Sequence, residues 1–93
     1  VPYYVLQYDV VDDYANRRMP FRQLHLQKVR DAHASGELRI AGALSDPPDG
    51  ALLVFRADSP QVAEDFARTD PYVLNGLITS WRVRPWTVVA GDV

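Results

Sequence analysis

The apolar residues of this chain change their spacing along its length, and that change limits the folds open to it. In Pro2–Val11 (PYYVLQYDVV), Tyr4, Leu6 and Tyr8 alternate with Tyr3, Val5 and Gln7, the period of two expected of a strand. Asp12–Asn16 is polar and reads as a loop. From about Met19 to Ser35 the spacing becomes helical. Phe21, Leu24, Lys28 (through its aliphatic stem) and Ala32 form one stripe, with Val29 beside it. Pro20 suits a first helical turn, where its missing N–H costs nothing, and Gly36 suits the position just past the end. Leu38–Leu44 (LRIAGAL) returns to strand, and Gly42 inside it signals a bulge or a close approach. Asp46-Pro47-Pro48-Asp49-Gly50 is a turn, from which Ala51–Ala57 pairs back as a hairpin. Ser59-Pro60 starts a second helix with Val62, Ala63, Phe66 and Ala67 on its apolar face. Asp70-Pro71 opens a short turn or helix that Gly76 closes. Leu77–Val89 is a final strand, with Leu77, Thr79, Trp81, Val83 and Pro85 on one side and Ile78, Ser80, Arg82, Arg84 and Trp86 on the other.

This order, strand–helix–strand–strand–helix–strand, is that of the split βαβ or ferredoxin-like α+β unit. It predicts a four-stranded antiparallel sheet with both helices on one face. The opposite face would be bare. Apolar and aromatic residues occur on both sides of the strands, so a second copy of the chain is expected to cover it, giving a homodimer. With 93 residues the chain is long enough for one domain, residues 1–93, around one core.

Composition narrows the function classes. The net charge of −2 and the scattered basic residues argue against a nucleic-acid partner. No apolar run approaches the length of a bilayer span and no signal-peptide pattern is visible, so no membrane association and a cytoplasmic location are expected. The chain starts at Val1 without Met, which leaves room for residues ahead of it in the encoded protein. With no cysteine and only two histidines, a metal site or a thiol nucleophile is not expected. No P-loop, G-x-G-x-x-G or G-x-S-x-G motif is present. The acidic residues Asp12, Asp13, Asp46 and Asp49 are explained by turns, since EF-hand spacing is absent. Tyr3, Tyr4, Tyr8, Trp81 and Trp86 read as core or dimer interface, with no basic groove to make them a base-stacking platform.

The group with chemical potential is Arg22, His25 and Asp70. Arg22 and His25 are three apart on the first helix and share a face that Val29 and Ala32 extend as apolar surface. A carboxylate reaching such a histidine fixes the imidazole tautomer and favours its charged form, which makes a general acid/base. An arginine alongside holds an anionic group or an enolate. Each residue alone has a plainer explanation. A single helical histidine is more often structural, Asp before Pro is most often an N-cap, and an arginine on a helix is usually solvated. An N-cap carboxylate still keeps a second oxygen for a histidine. The second histidine, His33, sits near the helix end and reads as surface.

Three stretches together resemble the YCII-related family of small bacterial proteins: YYVLQYD (Tyr3–Asp9), RQLHL (Arg22–Leu26) with IAGAL (Ile40–Leu44), and DPYVLNGL (Asp70–Leu77) with WRVRPW (Trp81–Trp86). The resemblance spans nearly the whole chain. It implies a ferredoxin-like fold of the dimeric α+β barrel superfamily and a catalytic His–Asp pair, which falls on His25 and Asp70. The family's arginine falls on Arg22 and its strand glycine on Gly42. Pro20 implies a later helix start than in relatives. The reading that follows is a cofactor-independent lyase or isomerase-like enzyme acting on a small cyclic or aromatic-derived metabolite. His25 would transfer the proton, Asp70 orient it and Arg22 stabilise charge, with Tyr72 and Gly42 lining the pocket. The alternatives are a non-catalytic dimeric module that binds a small ligand or partner, and a cofactor-free monooxygenase.

Overall fold

A computed structural model describes all 93 residues. Strands β1 (Tyr3–Val10), β2 (Leu38–Ala43), β3 (Gly50–Arg56) and β4 (Ile78–Trp86) form one sheet. Their order is β2-β3-β1-β4, with every neighbouring pair antiparallel. Helices α2 (Arg22–Ala34) and α3 (Gln61–Thr69) pack on it, and two single-turn helices, α1 (Tyr14–Arg17) and α4 (Pro71–Leu74), flank the loops. This is the ferredoxin-like arrangement the periodicity predicts.

The core lies on the helical face. The alternating set Tyr4, Leu6 and Tyr8 of β1 points inward, opposite Phe55, Leu53 and Ala51 of β3. Leu6 and Leu53 are both almost fully buried, and removing a leucine side chain from water contributes about 1.5–3 kcal/mol. Ala63, Phe66 and Ala67 bring α3 onto this layer, with Phe66 edge-on to Phe55 at 5.5 Å between ring centres. α3 starts at Gln61 with Pro60, not Ser59, at its N-cap, although the Ser59 hydroxyl still accepts from the Gln61 amide at 3.3 Å.

Several expectations need correction. Asp12–Asn16 is not all loop. Asp13 adopts a left-handed conformation (φ 59°), which aspartate tolerates, and its carbonyl accepts from Arg17 to close α1. Tyr14 is thereby buried in the core. A single turn has too few residues to show a helical period. Pro20 lies in a 3-10 turn, Met19–Phe21, so α2 starts at Arg22, later than Met19. Leu24, placed on the buried stripe, is 64% exposed. The inward stripe runs instead through His25, Val29 and Ala32.

Two bulges alter the strand faces. β2 shifts register between Leu38 and Ile40, so Leu38 is buried against Phe55 while Ile40 faces outward opposite Val54. The irregularity is therefore at Arg39, and Gly42 pairs regularly with Leu52. In β4 the shift falls between the Asp9–Ser80 and Val10–Ile78 pairs, leaving Thr79 as the extra residue. Ile78 is therefore buried, not outward with Ser80. Trp81 and Val83 do face the core, but Trp81 is only partly buried, with the Arg68 guanidinium 5.8 Å above its ring.

The final strand ends at Trp86 rather than Val89. The tail turns back to the open face, where the Val93 carbonyl accepts from Tyr3 Oη and from Arg39, both at 3.2 Å. Val54 shares a hollow with Val88, Ala90 and Val93. The open face is thus partly clothed by its own chain, while Ile40, Leu52 and Trp86 remain exposed. No helix is long and apolar enough to cross a membrane.

Candidate active site

The sheet order decides which residues can meet. β1 is central, so the end carrying Tyr8 borders the cavity that α2 also lines and lies beside the loop that leads from α3 into β4. Asp70 occupies that loop. It ends α3, adopts an extended backbone (φ −68°, ψ 125°) and caps α4, its Oδ1 accepting from the Tyr72 amide at 3.0 Å. Pro71 follows at the first helical position, where no N–H is needed.

Asp70 is fully buried, the one charged residue in the core. Its Oδ1 lies 2.8 Å from Nδ1 of His25, and its Oδ2 accepts from the Tyr8 hydroxyl at 2.7 Å. Three donors therefore converge on one carboxylate, the satisfaction a buried charge requires. The oxygen that serves the cap also serves the histidine, and the second oxygen, expected to be free for His25, is taken by Tyr8. An ionised carboxylate only accepts, so Nδ1 of His25 carries the hydrogen in this contact. Neutral His25 then has its lone pair on Nε2. The ring is 13% exposed and stacks on Tyr72 at 3.8 Å between centres with 8° between planes. Tyr14 packs edge-on to Tyr72 at 5.8 Å.

Burial first, and the Asp70 charge and hydrogen bond second, raise the Tyr8 pKa far above the ordinary phenol value. Tyr8 therefore stays protonated and donates to Asp70. Burial likewise raises Tyr14 and Tyr72; in Tyr14 the Arg18 side chain beside its hydroxyl opposes this first, as a hydrogen-bonding group and as a charge, and in both the charges of Arg18 and Arg22 oppose it.

A cavity of about 240 Å³ opens beside this pair. Arg22, His25, Gly42 and Tyr72 all border it, so the expected site residues other than the buried Asp70 share one space. Arg18, Tyr8 and Tyr14 border it too and were not singled out from sequence. Tyr8 carried one usable signal: an inward tyrosine at a strand end must find a partner for its hydroxyl. Tyr14 and Arg18 carried none, because the turn that places them has no period. A side chain at Gly42 would meet nothing within 4 Å. His33 lies away from the site, its Nδ1 2.9 Å from the Leu38 carbonyl, tying the end of α2 to β2. No cluster of three or more His, Cys, Asp or Glu side chains is placed to hold a metal.

Known proteins resemble this one in sequence and in shape. An uncharacterised protein of Haemophilus influenzae is 28% identical over 96 residues, spanning 94% of this chain and 98% of its own. Among solved structures, 5-chloro-2-hydroxyhydroquinone dehydrochlorinase (TftG) of Burkholderia phenoliruptrix, in complex with 2,5-dihydroxybenzoquinone, superposes with a TM-score of 0.76. It is 17% identical, over 91% of this chain and 93% of that one. An antibiotic biosynthesis monooxygenase superposes with a TM-score of 0.61 at 8% identity, over 97% and 100% of the two chains. These likenesses show the fold alone, a four-stranded antiparallel sheet with helices on one face. The sequence pattern of the YCII-related domain matches residues 1–87, and the chain belongs to the YCII-related family.

Proposed function

We propose that this protein is a cofactor-independent enzyme that moves a proton on a small cyclic metabolite, of lyase or isomerase type. The observation that carries the reading is the 2.8 Å contact between His25 Nδ1 and the buried Asp70 carboxylate at the wall of a cavity. A carboxylate held by Tyr8 and the Tyr72 amide keeps the imidazole in one tautomer. Nε2 is then the base that removes a proton from a ring carbon or hydroxyl and returns it elsewhere. The oxyanion left on the substrate lies in the field of Arg22, whose charge is permanent. Tyr72 supports the imidazole face, and Gly42 leaves the cavity edge open. The dehydrochlorinase of the same fold, with its quinone-type ligand, supports a ring of that size as the substrate class.

Dimer formation is part of the same proposal. A second copy packs on the open sheet face over Ile40, Leu52 and Trp86, the exposed apolar residues left by the tail.

The test is exchange and elimination on hydroxylated rings. In deuterated water the protein should catalyse exchange of ring hydrogens of 2,5-dihydroxybenzoquinone, or release chloride from 5-chloro-2-hydroxyhydroquinone. His25→Ala should lose at least about 100-fold, the usual scale of a general acid/base. Equal rates in the parent and His25→Ala would exclude the pair as the catalyst. Oxygen consumption tied to turnover would favour monooxygenation instead.

A further inference from the structure

We infer that Arg18 is an anion-holding residue of this cavity, and that the ligand is a flat ring carrying an anionic oxygen. The inference rests on the proton-transfer reading for the choice of cavity and extends it to the substrate's charge. Arg18 follows α1 and borders the cavity. Its Nε is buried and has no acceptor in the protein. A buried donor without a partner is rare in folded proteins and calls for an explanation. Arg18 and Arg22 make no ion pair, and no carboxylate lines the cavity. Asp70, the buried acid of the site, already accepts from three donors. Two permanent cations thus face a small space that offers them no anion, in a protein whose net charge is negative.

The contacts give the anion end a place. The Arg18 guanidinium lies over the Tyr14 ring, 5.1 Å from its centre. Tyr14 meets Tyr72, which stacks on His25. Two aromatic rings therefore separate Arg18 from the imidazole in this chain of contacts. A ligand that puts its oxyanion on Arg18 keeps its ring in the same cavity as the apolar side chains of Leu26, Val29 and Leu53 and as His25. The guanidinium fork matches a carboxylate in two bonds or a phenolate in one. Fixing the oxygen there sets which ring atom meets the base.

The experiment uses the full chain at one pH, with ligand binding followed by amide NMR. Benzoate and benzamide share a flat ring and differ in charge, and 4-nitrophenolate tests the phenolate form. Benzoate or 4-nitrophenolate should shift the amides around Tyr14 and Arg18, with benzamide at least about tenfold weaker. Arg18→Gln should weaken the anion about tenfold or more, Arg18→Lys should retain part of the affinity, and benzamide should not respond to either change. The anion that shows the larger Arg18 dependence identifies the oxygen as carboxylate or phenolate. Equal binding of benzoate and benzamide by the parent overturns the inference, as does indifference of both anions to Arg18→Gln. If Arg18→Gln does not fold, the benzoate–benzamide comparison on the parent decides. His25→Asn separates the two proposals. Arg18-dependent anion binding that persists there stands by itself, even if the exchange assay finds no role for His25.

Discussion

The hydroxyl of Tyr8 donates to Oδ2 of Asp70 at 2.7 Å, across 62 residues of sequence. With that oxygen engaged, the carboxylate turns its other oxygen to both His25 and the start of α4. The central strand thereby positions a side chain that belongs to a loop. Tyr8→Phe keeps the ring and removes the donor. It should cost about 1–3 kcal/mol, because a buried charged acceptor loses a partner. Asp70→Ala strands Tyr8, His25 and the Tyr72 amide together and should cost about 3–5 kcal/mol. Urea unfolding of both variants is the measurement. A Tyr8→Phe midpoint equal to the parent's would show that the bond adds nothing.

The His25–Asp70 contact predicts a single imidazole tautomer. Nitrogen-15 NMR should show His25 with its hydrogen on Nδ1 when neutral, and Asp70→Asn should alter that pattern. His33, held by the Leu38 carbonyl, is the internal control and should not change. An unaltered His25 spectrum in Asp70→Asn would mean that the two groups are not coupled in solution.

Three buried phenols make the fold sensitive to alkali. Tyr8, Tyr14 and Tyr72 all have pKa values raised above the ordinary 10.0 by burial. The folded state therefore holds these protons more tightly than the unfolded chain. Their contribution is fully present below about pH 10 and is lost progressively as pH rises above it, because only the unfolded chain ionises readily. Stability measured from pH 8 to 11.5 should fall beyond about pH 10. The fall should be less steep in Tyr8→Phe, which removes the most strongly raised group. A flat profile in the parent would contradict the burial of these hydroxyls.

Two glycines should differ in their tolerance of a side chain. A Cβ at Gly50 would lie 2.9 Å from the Tyr8 carbonyl oxygen and 3.4 Å from Leu44 Cδ1. Asp46–Gly50 reads from sequence as a turn, yet its last residue begins β3 and is buried. Gly50→Ala should cost about 1–3 kcal/mol through forced backbone movement at the residue that supports Asp70. Gly42→Ala, with open space around the new methyl, should stay within about 0.5 kcal/mol. Thermal unfolding of the pair checks this, and equal losses would disprove the assigned contact.

The open sheet face predicts self-association. Sedimentation at micromolar concentration should show a dimer, and Leu52→Asp at the centre of that face should yield monomer with the fold intact. A parent that sediments only as monomer removes the dimer from the proposal.

The order of strands and helices was legible in the residues because it is local. Alternation in Tyr4, Leu6 and Tyr8 and the helical spacing of Val62, Ala63, Phe66 and Ala67 each depend on a few neighbouring residues and on which side of an element meets water. Arg22 and His25 were legible as neighbours for the same reason, since one helical turn brings them together. What lay outside the sequence was everything set by register and by contacts between distant segments. The bulges at Arg39 and Thr79 each add one residue to a strand, and this reversed the side assigned to Ile78. Their placement depends on pairing with β3 and β1. The strand order, with β1 in the middle, put Tyr8 under Asp70, and the single turn at Tyr14–Arg17 put Arg18 at the cavity. A buried carboxylate must collect donors wherever the chain happens to bring them. The pairing of His25 with Asp70 and the capping role of Asp70 were expected beforehand, but only the folded arrangement determined that Tyr8 would take the remaining oxygen.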